Sequence, residues 1–367
     1  MKSTALLSSP KKLLGLEIIR FFSALAVLVW HYQHFSYVAS IPVDFTRSRQ
    51  PLYAMLEIFY THGNYGVQVF WCISGYIFFF KYRNEISQKR INWRHFFVLR
   101  FSRLYPLHLI TLMIVCGFQI LYFDINKYYF VYQFNDMNHF LLQIFLASNW
   151  GFERGYSFNG PIWSISIEAL VYFLFFLVLR NFGASPRLNV LAIALCLIAR
   201  GFKLGNPVFE CIAFFYVGGL AAIISQSPIV AINKARLNVL AFSILVLLPL
   251  MVSGLHVNEI KSFPLIFLFI YTPVLLFFAA ENMPVPLVAE KYVEMAGNTT
   301  YASYLVHFPI QLLIVLMFSH TKLTIPFYSV SFFLFFIAIT LVVSGLVFNY
   351  YEMPVQRYIR KRYVAFR

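Results

Sequence analysis

The sequence predicts an all-α, polytopic bundle of transmembrane helices with about ten spans and with both termini in the cytoplasm. Of its 367 residues, 60% are hydrophobic and only 12% are charged, which leaves too little polar surface for a water-soluble domain. Aromatic residues make up 20%, as expected where rings pack against lipid and neighbouring helices. We expect a single membrane domain over residues 1–367, with basic cytoplasmic tails at about 1–15 and 351–367 and no appended soluble domain.

Ten segments are long and apolar enough to cross a bilayer, which takes about 20 mostly apolar residues. They are 16–39, 63–80, 104–123, 162–180, 188–204, 207–225, 237–255, 262–280, 299–319 and 326–350. The fifth and sixth are the weakest, because the apolar run before Arg200 and Lys203 is brief. The segment 139–150 is apolar but too short to cross, so we expect an interfacial or re-entrant helix over the outer face.

The basic residues are distributed unevenly between the two sides of the predicted bundle. With a cytoplasmic N-terminus, the inner segments hold 20 Lys and Arg residues and the outer segments hold 8. This asymmetry obeys the positive-inside rule. The formal net charge of +15 therefore indicates membrane topology, and we predict no nucleic-acid partner.

The four cysteines are Cys72, Cys116, Cys196 and Cys211, and all lie within or beside apolar runs. They show neither Cys-x-x-Cys spacing nor a nearby cluster of histidines. We interpret them as buried thiols and predict no metal site.

The first span carries two ionisable residues, Arg20 and His31. Such a group in hydrocarbon costs roughly 2.5 kcal/mol or more, so it usually faces a protein interior or a water-filled path. The eleven-residue separation amounts to three helical turns plus roughly 20 degrees, which puts both side chains on one face about 16 Å apart. Two interpretations stay open: both line one path, or Arg20 snorkels to the inner interface and His31 is a core histidine.

The fourth span contains a polar stripe, because Ser164, Glu168 and Tyr172 recur every four residues. Asn159 precedes this span and is suited to cap its helix. A rise of 1.5 Å per residue places Glu168 about 21 Å and His31 about 22 Å from the inner face. We therefore expect that these two side chains can meet.

Other polar residues lie at further depths of the predicted bundle. Ser74 and His307 fall near the middle of their spans, and Arg20 lies near the inner mouth. Arg100 and Arg103 share one face of a helical segment at the inner surface. There they contact either lipid headgroups or the phosphates of a ligand.

Several motifs, in order along almost the whole chain, resemble those of the acyltransferase 3 family of integral membrane O-acyltransferases. An Arg, ten residues and a His in the first span is the family's signature, and "GLEIIR" is similar to its start, with Glu17 where Asp is usual. "GVQVFWCISGY" resembles the family's Phe-Phe-x-x-Ser-Gly-Phe element, with Trp71 and Tyr76 replacing Phe and Gln68 where Asp is common. The similarity extends to "RFSRLYP", "WSISIE", "YASYLVHFP" and "YYEMP".

The resemblance implies an O-acyltransferase of the cell inner (cytoplasmic) membrane. Its donor would be a cytoplasmic acyl-CoA, usually acetyl-CoA, and its acceptor a hydroxyl of an exported or lipid-linked saccharide. We predict His31 as the general base, with Glu168 as its possible orienting partner; an acyl-histidine intermediate stays open. Arg20 is predicted to attract an anionic part of the donor or to stabilise charge along the path.

The resemblance also suggests where the substrates bind. Arg100, Arg103 and Tyr105 are the predicted contacts of the CoA nucleotide, because paired guanidinium groups suit phosphate. The substrate path is predicted to pass Ser74, Trp163, Ser164, Ser166 and His307. For Trp163 the alternative is a place in the outer aromatic belt, and for His307 a helix-packing role.

The expected partners are therefore acyl-CoA, a saccharide or glycolipid acceptor and membrane lipids, with no permanently bound cofactor and no predicted oligomeric state. The alternative function is a transporter or flippase of a lipid-linked sugar, since intramembrane Arg, His and Glu residues also mark substrate and proton pathways. Against it, the sequence shows no paired Gly- or Pro-interrupted spans in matching halves. A purely structural subunit would leave the buried polar groups unexplained.

Overall fold

The computed structural model describes residues 12–202, 206–254, 263–283 and 285–363, and within them the chain is a helical membrane bundle, as predicted. Parts of the two predicted basic tails, residues 1–11 and 364–367, lie outside the described residues. The basic residues Lys203 and Lys261 of the charge count also lie outside them.

Fourteen α-helices are assigned in the described residues. They are α1 (Leu14–His31), α2 (Tyr53–His62), α3 (Gly66–Ser87), α4 (Trp93–Asn126), α5 (Met137–Ile144), α6 (Trp163–Phe182), α7 (Pro186–Gly201), α8 (Pro207–Ser225), α9 (Pro228–Gly254), α10 (Phe263–Asn282), α11 (Leu287–Asn298), α12 (Thr300–Thr321), α13 (Val330–Val347) and α14 (Met353–Tyr363). A short antiparallel hairpin of β1 (Tyr37–Val38) and β2 (Ile41–Pro42) follows α1.

Each of the ten predicted spans coincides with a helix: α1, α3, α4, α6 to α10, α12 and α13. In the described part of the chain, seven helical stretches are long and apolar enough to cross a membrane. They are Leu14–Ser36, Trp93–Asn126, Gly160–Phe182, Pro207–Ser225, Val230–Met251, Thr300–Thr321 and Val330–Tyr363. The apolar part of α10, Pro264–Ala280, is shorter, and α7 has only 16 residues.

The predicted interfacial segment at 139–150 is helical only in its first half, as α5. Asp136 caps this helix by accepting a hydrogen bond from the His139 backbone N–H at 3.0 Å. Helix α4 begins earlier than its predicted span, because Asn92 accepts from the His95 N–H at 2.8 Å and caps it there. The helix therefore carries the segment with Arg100 and Arg103 directly into the bundle.

One proline within a helix, Pro309 of α12, is compensated by a side chain of a neighbouring segment. A proline removes the N–H that would bond the carbonyl four residues earlier. Pro309 in α12 leaves the Leu305 carbonyl without its helical donor, and this carbonyl accepts instead from the Asn159 side-chain amide at 3.1 Å. Asn159 stands at the N-cap position before α6, but its side chain makes no cap hydrogen bond, so the prediction that it caps this helix is wrong.

The centre of the bundle is the close crossing of α3 and α8. Gly75 faces the Phe215 carbonyl oxygen, and Gly218 faces that of Cys72, so that a Cβ at either glycine would overlap the partner's backbone. Phenylalanine rings such as Phe78 fill the space beside this crossing. The cysteines are free thiols; three are buried and Cys116 is partly exposed.

Candidate active site

A cavity of about 110 Å³ lies between α1, α3, α4, α6 and α12. The whole polar stripe of α6 lines it, with Ser74 of α3 facing that stripe. Three arginines also line it: Arg20, Arg100 and Arg103. The geometry thus joins residues that the sequence places in separate spans.

Two of the three arginines have partners within the protein, and the third has none among the described residues. Arg20 forms an ion pair with Glu17 at 2.8 Å. Arg100 donates to the Tyr82 hydroxyl at 2.8 Å, and its guanidinium carbon lies 4.8 Å from the centre of the Phe78 ring. Among the described residues Arg103 has neither a hydrogen bond nor an ion pair, so its guanidinium is available to an anionic ligand.

A carboxylate balances this positive charge from the opposite wall. Glu168 accepts a hydrogen bond from the Tyr172 hydroxyl at 2.5 Å, and Ser74 lies 3.3 Å from the same hydroxyl. Glu168 also interacts electrostatically with Arg103 and Arg20. The cavity therefore presents both signs of charge.

A second carboxylate approaches from the end of α13. The π-helical segment Phe348–Glu352 turns Glu352 inward, where it is 4% exposed and interacts electrostatically with Arg103 and Arg20. Single π-turns are common at functional sites. Glu352 belongs to the motif "YYEMP", but no site role was predicted for it from the sequence.

His31 lies at the end of α1, is 7% exposed and does not line the cavity. Its Nδ1 is 2.9 Å from the Val27 carbonyl oxygen. A carbonyl can only accept, so Nδ1 carries the proton and Nε2 keeps a free lone pair. This tautomer makes Nε2 the basic atom.

The far end of the cavity is formed by Tyr304, and the imidazoles lie directly beyond it. The Tyr304 ring centre is 6.0 Å from that of His307, which is 4.8 Å from that of His31. The predicted polar path thus consists of two adjoining parts, the cavity and the pair of histidines, with Tyr304 at their junction.

The expected contact between Glu168 and His31 is not made. Val27 orients the imidazole, while Glu168 turns towards Tyr172 and the cavity. Counting residues fixes the depth of a side chain along its helix, but not the direction in which it points around the bundle. The orienting role predicted for Glu168 is therefore wrong in this geometry.

Three further predicted site residues do not line the cavity. Tyr105 stacks on Phe101 at 4.7 Å. Ser166 accepts from the Asn149 N–H at 3.3 Å and thereby fixes a loop. Trp163 packs edge-on against Trp71 at 5.7 Å. Trp163 is separated from the cavity by Trp71, which lines it. The predicted contact of Tyr105 with the CoA nucleotide and the predicted place of Ser166 on the substrate path stay predictions.

Three residues near the pair of His31 and His307 were not predicted as site residues from the sequence: Tyr304, His34 and Gln311. The His34 ring centre is 5.0 Å from that of His31, and the Gln311 amide donates to the His31 carbonyl at 2.9 Å. Tyr304, His307 and Gln311 are spaced three and four residues apart, which places them on one helical face. This spacing is the signal that could have grouped them.

The loop that leads into α6 is fixed by an ion-pair network on the predicted outer face. Asp136 accepts from the His139 backbone N–H, from its Nδ1 at 2.8 Å and from Arg154 at 3.0 Å. These hydrogen bonds hold the pKa of Asp136 below its ordinary value. Gln143 ties the same loop down by donating to the Ser157 carbonyl at 2.9 Å.

These features define a polytopic membrane protein with an arginine-lined cavity and, next to its Tyr304 wall, a pair of buried histidines. A family model described as an acyltransferase domain matches residues 13–363. The chain therefore belongs to the acyltransferase 3 family and is a membrane acyltransferase. No curated protein and no solved structure matches the chain.

Proposed function

We propose that the chain transfers an acyl group, in the simplest case acetyl, from cytoplasmic acyl-CoA to a hydroxyl of an exported or lipid-linked saccharide at the cell inner membrane. The observation that carries this proposal is the polar succession from Arg103, through the cavity, to Tyr304 and His31. A thioester that enters at the arginine end of this succession would come close to His31, the proposed base, at the other end.

The donor's phosphates are assigned to the arginine end of the cavity. Arg103 has no ion pair among the described residues, and Arg100 lies one helical turn away on the same wall. Guanidinium groups bind phosphate through directed, charge-assisted hydrogen bonds. The narrow pantetheine arm then follows the cavity past Ser74 and Glu168, with Arg20 stabilising negative charge along the way.

His31 is assigned the proton transfer. Its Nε2 takes the proton of the acceptor hydroxyl while the oxygen attacks the thioester carbonyl carbon. The carbon–sulfur bond breaks, the thiolate of CoA leaves, and the imidazolium returns the proton to it. The Val27 carbonyl stabilises the Nδ1–H of the charged ring throughout.

Purified protein in detergent tests the proposal. With acetyl-CoA and a panel of methyl glycosides, the wild-type protein should release CoA thiol only when an acceptor is present. His31→Ala should lower this rate at least about 100-fold, since a positioned base contributes that much. His62→Ala is the matched control, because His62 is exposed and does not line the cavity.

Two results would overturn the proposal. Full thiol release by His31→Ala would remove His31 from its role as base. Wild-type protein that moves a lipid-linked sugar across the membrane of liposomes without consuming any acyl-CoA would instead support the transporter.

An acyl-histidine route would be recognised by a covalent adduct on His31 in the absence of acceptor.

A further inference from the structure

The buried face of α12 beside His31 carries hydrogen-bond acceptors that have no donor. His307 is 1% exposed and Gln311 is fully buried. By hydrogen-bond geometry, His307 Nε2 and Gln311 Oε1 have no partner in the described part of the chain, although the Gln311 side chain also interacts with that of His34. Both side chains belong to the helix face that packs against the end of α1.

The protein's own hydrogen bonds fix both atoms as acceptors. His307 Nδ1 lies 3.3 Å from the Ser303 carbonyl oxygen, so it carries the proton and Nε2 keeps the lone pair. The Gln311 amide nitrogen donates to the His31 carbonyl at 2.9 Å, which leaves Oε1 as an acceptor. Together with His31 Nε2, these two atoms give three hydrogen-bond acceptors on neighbouring side chains.

Such a group favours one kind of ligand. A buried acceptor without a donor costs about 1–3 kcal/mol, and a ligand with O–H groups removes that cost. An anionic oxygen is a poor ligand here, because it has no proton to donate and would be repelled by the lone pairs of the acceptors. One hydroxyl can satisfy His31, but the neighbouring acceptors need another donor.

We propose that His307 and Gln311 form a specificity subsite that binds a second hydroxyl of the acceptor, adjacent to the one that is acylated. This inference rests on the proposed function, because it takes His31 as the base for the first hydroxyl. The His31 and His307 ring centres are only 4.8 Å apart, so both hydroxyls belong to one molecule. The acceptor is therefore a molecule with neighbouring hydroxyls, and a lone alcohol is a poor substrate.

The test uses purified full-length protein with methyl glycosides and their deoxy derivatives that lack one hydroxyl. Saturation-transfer NMR measures binding without turnover, and CoA thiol release with acetyl-CoA measures transfer. For the best acceptor, removal of the hydroxyl adjacent to the acylated position should raise KM and Kd about tenfold in the wild-type protein, the equivalent of about 1.4 kcal/mol. The kcat should change much less.

Variants show whether the subsite is responsible. His307→Phe should bind the parent glycoside and the deoxy derivative equally, while His307→Asn, which keeps an acceptor oxygen, should restore part of the preference. His108→Phe is the matched control: His108 is also a buried histidine with one ring nitrogen 2.8 Å from a carbonyl oxygen, that of Gln143, and with its Nδ1 unpartnered among the described residues. It differs from His307 in its position, because its ring lies beside Tyr105 and not beside His31. This variant should leave the preference unchanged even if it lowers stability.

Equal binding of the parent glycoside and the deoxy derivative by the wild-type protein would overturn the subsite, as would a preference that survives in His307→Phe. Absence of binding by every glycoside would also overturn it. Failure of the proposed function looks different, because the glycosides would then bind with the expected preference while no thiol is released.

Discussion

Ser164 of α6 and Tyr304 of α12 are joined by a hydrogen bond of 2.8 Å at the far end of the arginine-lined cavity. Tyr304 has a single hydroxyl proton, and it goes to the Pro161 carbonyl oxygen at 2.8 Å. Ser164 is therefore the donor to the Tyr304 oxygen. This pair ties the start of α6 to α12 and places an aromatic ring between the cavity and His307.

Removal of this ring should admit water to the thioester. Tyr304→Ala joins the cavity to the imidazole region, so the variant should hydrolyse acetyl-CoA without an acceptor several-fold faster than the wild-type protein, because closed sites suppress such side reactions. Tyr304→Phe keeps the ring and is the matched control. Acceptor-independent thiol release measures both, and equal rates in the two variants would contradict a barrier role for the ring.

Arg103 should act on the phosphates of the donor. Arg103→Gln is expected to raise KM for acetyl-CoA roughly tenfold or more, because a hydrogen bond to a charged group contributes about 1.5–3 kcal/mol. It should have little effect on acetyl-pantetheine, which lacks the phosphates. Arg94→Gln is the control, since Arg94 is an exposed residue of the same helix. An equal increase in KM for acetyl-CoA and for acetyl-pantetheine would show that Arg103 does not act on the phosphates of the donor.

The crossing of α3 and α8 should not tolerate an added methyl group. Gly75→Ala would push a Cβ into the Phe215 backbone oxygen, and overpacking of this kind costs about 1–3 kcal/mol. Gly117→Ala has no neighbouring atom within 4 Å and should stabilise α4 by up to about 1 kcal/mol. Thermal unfolding in detergent should show a lower Tm for Gly75→Ala and a higher Tm for Gly117→Ala than for the wild-type protein. An unchanged Tm for Gly75→Ala would refute the close crossing.

The Asp136 network should be weakened by acid. A carboxyl whose pKa is lowered on folding stabilises the fold above its unfolded pKa, about 3.9, and this contribution is lost as the pH falls through the folded pKa. Amide hydrogen exchange in residues 137–144 should therefore be faster in Asp136→Asn than in the wild-type protein at pH 6, and this ratio of rates should fall towards one as the pH is lowered below about 3.9. A ratio of one at pH 6 would show that the carboxylate does not hold this helix.

The fold is largely predictable because its signals are local. A run of apolar residues is enough to indicate a spanning helix, and all ten predicted spans are helical. Side-chain spacing within one helix is equally local, so Ser164, Glu168 and Tyr172 share the cavity wall as expected. The short helices α2, α11 and α14 carry no such long apolar run and were not predicted.

The arrangement of the site is less predictable because it depends on how helices rotate and where they deviate from ideal geometry. Glu168 has the right depth to meet His31 but points towards Tyr172. Glu352 is turned inward, where it interacts electrostatically with Arg103 and Arg20, by a π-turn, and no residue spacing indicates such a turn. The partners of His31 on α12 required knowledge of which helices pack together.

The most direct test of the account is the sidedness of transfer in sealed proteoliposomes. Acetyl-CoA is supplied outside only, and a membrane-impermeant saccharide acceptor is placed either inside only or outside only. Acetylated saccharide should form when the acceptor is inside and none should form when it is outside, because the arginine end of the cavity and His31 are proposed to serve opposite faces of the membrane. Equal acetylation of an acceptor on the donor's own side would contradict it.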